Sequence, residues 1–374
     1  MHSALLILTI VVILALLFDF VNGFHDAANT ISTIVVTRTM TPLAAVIMAG
    51  FANFTGIWFG TAVAKTVGKG VVNTDKIIEL GAAGGGVNTL LLHVLLGALC
   101  GAVAWNIFTW IMGLPTSSSH ALIGGLMGSG IACAGIDIVN WGHGSFQDLI
   151  QIITSGQFKE LNKVFGVKTI FAFIFIAPTL GFLVATFFTG VTMWICRNMI
   201  PKKADKGFKF LQVLSAIFAS VAHGTNDAQK SMGVIAMAMI AGHAYAGEKL
   251  TMDNVLDVHR WISISCYAAI SLGTMFGGWR IVKTMGTQIT KIHPMEGFTS
   301  STSAAAAISL CTDLGIPVST THVIAGSIMG VGNIRGAGKV RWVTARKIVW
   351  AWFLTIPAAA IMAALSFLAI SKIL

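Results

Sequence analysis

The sequence predicts an all-α polytopic membrane protein, with roughly ten to twelve membrane-embedded helical elements in two related halves. Three observations lead there: a composition poor in charge, long uncharged runs, and two motifs that recur at nearly one spacing. Of 374 residues, 55% are hydrophobic and 10% charged, with a mean hydropathy of +0.82. Soluble domains carry roughly a quarter charged residues, so a water-soluble fold of this size would lack the polar surface it needs.

The uncharged runs set the elements. Residues 80–136 are 57 positions without Asp, Glu, Lys or Arg. A span takes about 20 apolar residues, so this run holds at least two membrane-deep segments. Further uncharged runs cover 39–64, 169–196, 261–279 and 348–371. All are expected to be helical, because lipid offers no partner to an unpaired backbone group. The apolar run 4–18 has no Lys or Arg before it, so it reads as the first span rather than a cleaved signal. Cys100, Cys133, Cys196, Cys266 and Cys311 lie in or beside apolar segments without CxxC spacing, the pattern of small core residues rather than a disulfide or structural metal site.

The net charge of +10 does not point to nucleic acid. It gathers in short connectors, at Arg197, Lys202, Lys203, Lys206 and Lys209 and again at Arg335, Lys339, Arg341, Arg346 and Lys347. Such clusters mark cytoplasmic loops. The first cluster, with Pro201, divides the chain into a membrane repeat at 1–196, a basic cytoplasmic connector at 197–209 and a second repeat at 210–374.

The repeat is visible in two motif pairs. Gly23-Phe24-His25-Asp26-Ala27-Ala28-Asn29 returns as Gly224-Thr225-Asn226-Asp227-Ala228-Gln229-Lys230, an offset of 201 from Gly23 to Gly224. Gly113-Leu114-Pro115-Thr116-Ser117-Ser118-Ser119-His120 returns as Gly315-Ile316-Pro317-Val318-Ser319-Thr320-Thr321-His322, an offset of 202 from Gly113 to Gly315. Met127, Gly128 and Gly130 extend the second match to Met329, Gly330 and Gly332. Carriers with sites between broken helices are commonly inverted repeats, and inversion is the expectation here. Between 137 and 168, apolar Phe146, Leu149, Ile150, Ile153, Phe158, Leu161 and Phe165 follow a helical period. They suggest an amphipathic interfacial helix, with an ordinary polar connector as the competing reading.

Asp26 and Asp227 carry the chemistry. A carboxylate at membrane depth costs roughly 2.5–3.5 kcal/mol on insertion scales, and two in equivalent contexts are hard to explain as polar span ends. Their neighbours His25 and Asn29, and Asn226, Gln229 and Lys230, can bind ions or polar ligands. Gly23 and Gly224 are expected to break their helices and free carbonyls as ligands. In the second motif pair, Pro suits a helix's first turn and Ser or Thr its cap. The following 121–130 is too short and glycine-rich for a full span, so each copy reads as a Pro–Ser/Thr helical hairpin. A helix start aimed at the midplane offers free N–H groups and a positive dipole end to an oxyanion. A capped helix without a ligand is the plain alternative for either copy alone; the pairing favours a ligand.

At these four motifs the sequence resembles the inorganic phosphate transporter (PiT) family, most nearly its bacterial low-affinity, proton-coupled members. The resemblance covers both halves. It implies a duplicated all-helical fold with inverted repeats and secondary symport of phosphate with a cation. It implies phosphate contact at Ser117, Ser118, Ser119, Ser319, Thr320 and Thr321, and proton or cation coupling at His25, Asp26, Asn29, Asn226 and Asp227. Sodium-coupled relatives typically have Asn before Asp in both repeats, whereas His25 takes that place in the first. The coupling ion expected is therefore H+, with Na+ as the alternative and a metal–phosphate complex as a further candidate substrate. Sulfate or another tetrahedral oxyanion is the competing cargo. No HExxH, GxSxG or Walker A sequence is present, so a transporter without cofactor is expected rather than an enzyme. The expected setting is multi-pass in a bacterial inner membrane. Phosphate and the bilayer are the expected partners, nucleic acid is not, and a homodimer is the assembly considered.

Overall fold

The computed structural model describes residues 2–82, 89–243, 250–252 and 254–373. Among these there are sixteen α-helices and no named strand. In chain order they are α1 (His2–Val36), α2 (Pro42–Thr55), α3 (Ala62–Gly70), α4 (Thr74–Ala82), α5 (Leu90–Met112), α6 (Ser118–Ala134), α7 (Phe146–Ser155), α8 (Leu161–Phe165), α9 (Val167–Ile195), α10 (Pro201–His243), α11 (Val255–Val258), α12 (Trp261–Phe276), α13 (Trp279–Lys283), α14 (Pro294–Asp313), α15 (Thr320–Asn333) and α16 (Trp342–Ile373). Helices α1, α5, α9 and α16 are each long and apolar enough to cross a membrane.

The second half follows the order of the first. A long helix bearing the Asp motif, α1 or α10, leads into a sharply bent pair. Pro42–Trp58 meets Ala62–Gly70 at 79°, and Trp261–Phe276 meets Trp279–Gln288 at 62°. A hairpin follows, α5–α6 or α14–α15, and then a closing helix, α9 or α16, with an internal Pro178 or Pro357.

The hairpins turn at equivalent glycines, Gly113 with φ +65° and Gly315 with φ +70°, a backbone state that costs an L-residue roughly 1–2 kcal/mol. Seventeen residues in α6 and fourteen in α15 reach only roughly 25 and 21 Å, short of the ~30 Å hydrocarbon core. Both short helices are buried along nearly their whole length.

Each hairpin is held by the opposite half. Helix α6 packs on α16, and α15 on α9. A Cβ at Gly124 or Gly128 would strike the carbonyl of Ile356 or Ala360, and one at Gly326 or Gly330 that of Pro178 or Phe182. Small residues of this kind let helices approach closely where lipid supplies no hydrophobic drive. The turns are gripped the same way. Thr284 donates to the Gly113 carbonyl at 3.0 Å, and Asn162 of α8 donates to that of Gly315 at 2.9 Å.

The expected helix breaks at Gly23 and Gly224 do not occur. Helices α1 and α10 run through both positions. A Cβ at Gly23 would meet the Ile270 carbonyl of α12, and one at Gly224 the Asn53 carbonyl of α2. These glycines serve helix contact between the halves, not backbone liganding. Most of 197–209 is also helical, because α10 begins at Pro201, a residue favoured at a helix's first position.

The segment 137–168 forms α7 and α8 rather than one helix, interrupted at Gly156 with φ +69°. Ser145 caps α7 and donates to the Asp148 carboxylate through its hydroxyl at 2.6 Å and its amide at 2.7 Å, which holds that carboxyl below its usual range. Phe146, Ile150 and Ile153 are exposed along the helix, as an interfacial helix requires.

Charge separates the equivalent connectors. Asp137, Asp148 and Glu160 balance Lys159, Lys163 and Lys168 after α6, whereas 335–347 after α15 carries five basic residues and no acid of its own, its Arg335 pairing with Glu296 of α14 at 2.6 Å. Under the positive-inside rule, inverted halves place the two connectors on opposite sides. Cysteines introduced at the matched exposed positions Ile136 and Gly338 should react with an impermeant reagent from opposite sides of sealed vesicles. Labelling of both from one side would contradict inversion and leave the duplication intact.

Candidate functional site

The two Asp motifs face each other in the interior. His25, Asp26 and Asn29 on α1, and His223, Asn226, Asp227 and Lys230 on α10, are each at most 4% exposed. Helical spacing explains the α10 set: His223 lies four residues before Asp227 and Lys230 three after, so all three share a face.

Asp227 is the most heavily engaged group. Its Oδ1 accepts from the Lys230 ammonium. Its Oδ2 accepts from the Thr320 hydroxyl at 3.3 Å and lies 3.2 Å from His223 Nε2. His223 Nδ1 in turn approaches Asn53 Oδ1 at 3.3 Å. Asp26 makes a different pair: its Oδ1 is 2.8 Å from His25 Nδ1. His25 Nε2 lies 3.2 Å from Thr109 Oγ1, which accepts from Thr116 in the first hairpin turn at 2.9 Å. Contact between an imidazole nitrogen and a carboxylate oxygen needs a proton between them, so the His25–Asp26 pair holds an exchangeable one.

The hydroxyl residues of the hairpins divide by task. Ser117 and Ser319 cap α6 and α15, accepting from the amides of His120 at 3.1 Å and His322 at 3.2 Å. The third pair is reached from the other half. Asn29 donates to Thr321 at 3.0 Å and to Thr320 at 3.2 Å, while Lys230 donates to Ser119. Ser118 Oγ is buried without a partner, as are Asn29 Oδ1 and Asn226 Oδ1. Buried polar atoms rarely stay unpaired, so the free Ser118 hydroxyl and the two free amide oxygens fit a polar ligand. Where the hairpins meet, His120 and His322 stand edge to face with centroids 4.7 Å apart, and His322 stacks on Trp352.

Ligand atoms of Asp26, His223 and Asp227 all lie within 4.8 Å of one another, close enough to share one cation. All the site residues expected from sequence therefore fall in or beside one buried network. Asn226 sits at its edge, donating to Thr312 at 2.8 Å. Gln229 serves structure instead: it accepts from the Val63 amide and donates to the Gly60 carbonyl at the start of α3.

Two groups, His223 and Asp19, escape the sequence reading, and Lys230 is only partly read. His223 was signalled only by its i, i+4 spacing to Asp227. Lys230 stood in the motif as a residue able to bind ions or polar ligands, outside the expected phosphate and coupling sets. Asp19, two helical turns before Asp26, is fully buried and accepts from Ser231 at 2.6 Å.

Paired helix starts, hydroxyls and carboxylates buried together suit the binding of ions, and comparison with known proteins decides the family. The model of the phosphate transporter family matches residues 22–363. The chain belongs to that family. It is 42% identical over 356 residues to a protein of Rhizobium meliloti (strain 1021) described as a probable low-affinity inorganic phosphate transporter, covering 95% of this chain and 94% of the relative. A Bacillus subtilis (strain 168) protein of the same description is 38% identical over 370 residues, covering 99% of each. A solved structure described as the sodium-dependent phosphate transporter matches with a TM-score of 0.73 at 26% identity, covering 98% of this chain and 100% of that one. The resemblance read from the four motifs thus holds over nearly the whole chain, and this phosphate transporter is a multi-pass membrane protein.

Proposed function

We propose that this phosphate transporter is a proton-coupled symporter. In this reading the starts of α6 and α15 hold phosphate, with Ser118 and Thr320 as the central hydroxyls and Ser117, Ser119, Ser319 and Thr321 around them. The observation that carries proton coupling is the His25–Asp26 contact at 2.8 Å, which stands where the second repeat has Asn226 and Asp227. An imidazole can carry a proton on either ring nitrogen and exchange it with a neighbouring carboxylate, whereas an Asn cannot titrate. A carboxylate oxygen or a buried Asn carbonyl can also accept the proton of hydrogen phosphate, which sulfate at neutral pH lacks, and this favours phosphate over sulfate.

Sodium coupling is the second reading. It is favoured by the compact set of Asp26, His223 and Asp227 and by the sodium dependence named for the structural neighbour. Imidazole nitrogen is a weaker ligand than oxygen for a hard cation, and this weighs against it. Purified protein in liposomes should accumulate radiolabelled phosphate from sodium-free buffer under an inward proton gradient, and His25→Asn should flatten the pH dependence. Uptake that requires sodium, with unaltered pH dependence in His25→Asn, would assign the coupling to sodium.

The hydroxyls give a separate expectation. Loss of a hydrogen bond to a charged partner costs about 1.5–3 kcal/mol. Ser118→Ala and Thr320→Ala should each therefore weaken phosphate binding by roughly 10- to 150-fold, with normal membrane insertion. Unchanged affinity in both would leave these hydroxyls a purely structural task.

A further inference from the structure

The repeat offset of 201 sets Lys230 opposite Asn29. Both reach across the interior to the hairpin of the other half, Asn29 to Thr320 and Thr321 and Lys230 to Ser119. The two positions share a geometry and differ in charge. Lys230 is 1% exposed. Its ammonium is bonded to Ser119 of the first hairpin, to the Asp227 carboxylate, and to the Val318 carbonyl at 3.2 Å. Val318 directly precedes Ser319, the cap of α15. The ammonium therefore bridges the starts of the two short helices, beside the unpartnered Ser118 hydroxyl.

We infer that Lys230 is a ligand of the transported phosphate, a tethered cation that passes from Asp227 to the anion on binding and so opens Asp227 to the coupling cation. The inference rests on the reading of the hairpin starts as the phosphate site. An ammonium has three donors and no acceptor, so a phosphate oxygen entering here can take the donor now spent on Asp227. Charge-assisted bonds of this kind are the strong ones. Asp227 would then keep only the Thr320 hydroxyl and His223. A buried carboxylate left without a cation is costly, so phosphate binding favours cation binding at Asp227. The converse also holds: a cation on Asp227 releases the ammonium to the anion. One buried lysine thereby links the two occupancies, a link that the neutral Asn29 cannot make in the first repeat.

The test is binding of radiolabelled inorganic phosphate to full-length purified protein. The neutral pair Asp227→Asn/Lys230→Gln removes both charges and leaves neither orphaned. Removing the carboxylate takes away repulsion of the anion, so weaker binding in the pair reports the missing ammonium. Affinity should fall at least about tenfold, while Asp227→Asn alone should bind phosphate more tightly than wild type and fail to transport it. Wild-type affinity in the neutral pair would overturn the inference. Ser118→Ala and Thr320→Ala, measured alongside, separate the two levels. If they weaken binding and the neutral pair does not, only the role of Lys230 falls; if neither they nor the neutral pair weaken it, the hairpin site falls as well.

Discussion

Asp227 is a charge-bearing group in the middle of a membrane protein, and the arrangement around it follows from what a buried carboxylate demands. It has to be met by donors on every side, because removal of one partner leaves an uncompensated charge in a medium that cannot solvate it. Helix α10 supplies Lys230 and His223 from its own face, and Thr320 arrives from the second hairpin. The same lysine fixes Ser119 of the first hairpin. One carboxylate therefore ties together α10 and both short helices. In a low-dielectric interior such ties are either satisfied together or costly together.

Packing makes this meeting possible. Two helix starts can converge at the centre only if each short helix is wedged deep into the opposite half. Gly124 and Gly128 permit this against α16, and Gly326 and Gly330 against α9. Gly23 and Gly224 do the same for the long helices, so the motif glycines act on helix spacing and the motif polar residues on the site. Exchange of hairpins between halves also explains why a duplicated chain keeps its two copies so similar in order. Each copy is finished by parts of the other.

Much of this was legible in sequence, for definable reasons. Uncharged runs announce burial in lipid whatever the topology. Recurrence of the Asp motif and the Pro–hydroxyl–His motif at offsets of 201 and 202 exposes the duplication without any knowledge of contacts. Cap chemistry at Ser117 and Ser319 is local and could be read from the Pro–Ser/Thr pattern. What stayed hidden depends on neighbours far apart in the chain. A glycine that bends a helix and one that admits another helix look alike until the partner is known, which is why Gly23 and Gly224 were misread. His223 stands opposite Asn22, so the repeat comparison gave it no titratable counterpart. Lys230 is marked in sequence as a potential ligand beside Asp227, but its reach to Ser119, 111 residues away, is not legible there.

In the proposed symporter, phosphate and the coupling cation share one buried cluster and bind in dependence on each other. Binding couplings are reciprocal, so this dependence can be measured at equilibrium, without transport. The most direct measurement is titration of the purified wild-type protein with phosphate in weakly buffered, sodium-free solution, following the pH of the solution. At alkaline pH, where phosphate enters as the dianion, the account predicts that binding takes protons out of solution and grows tighter as the pH is lowered. Tight phosphate binding that takes up no proton and is indifferent to pH would contradict it.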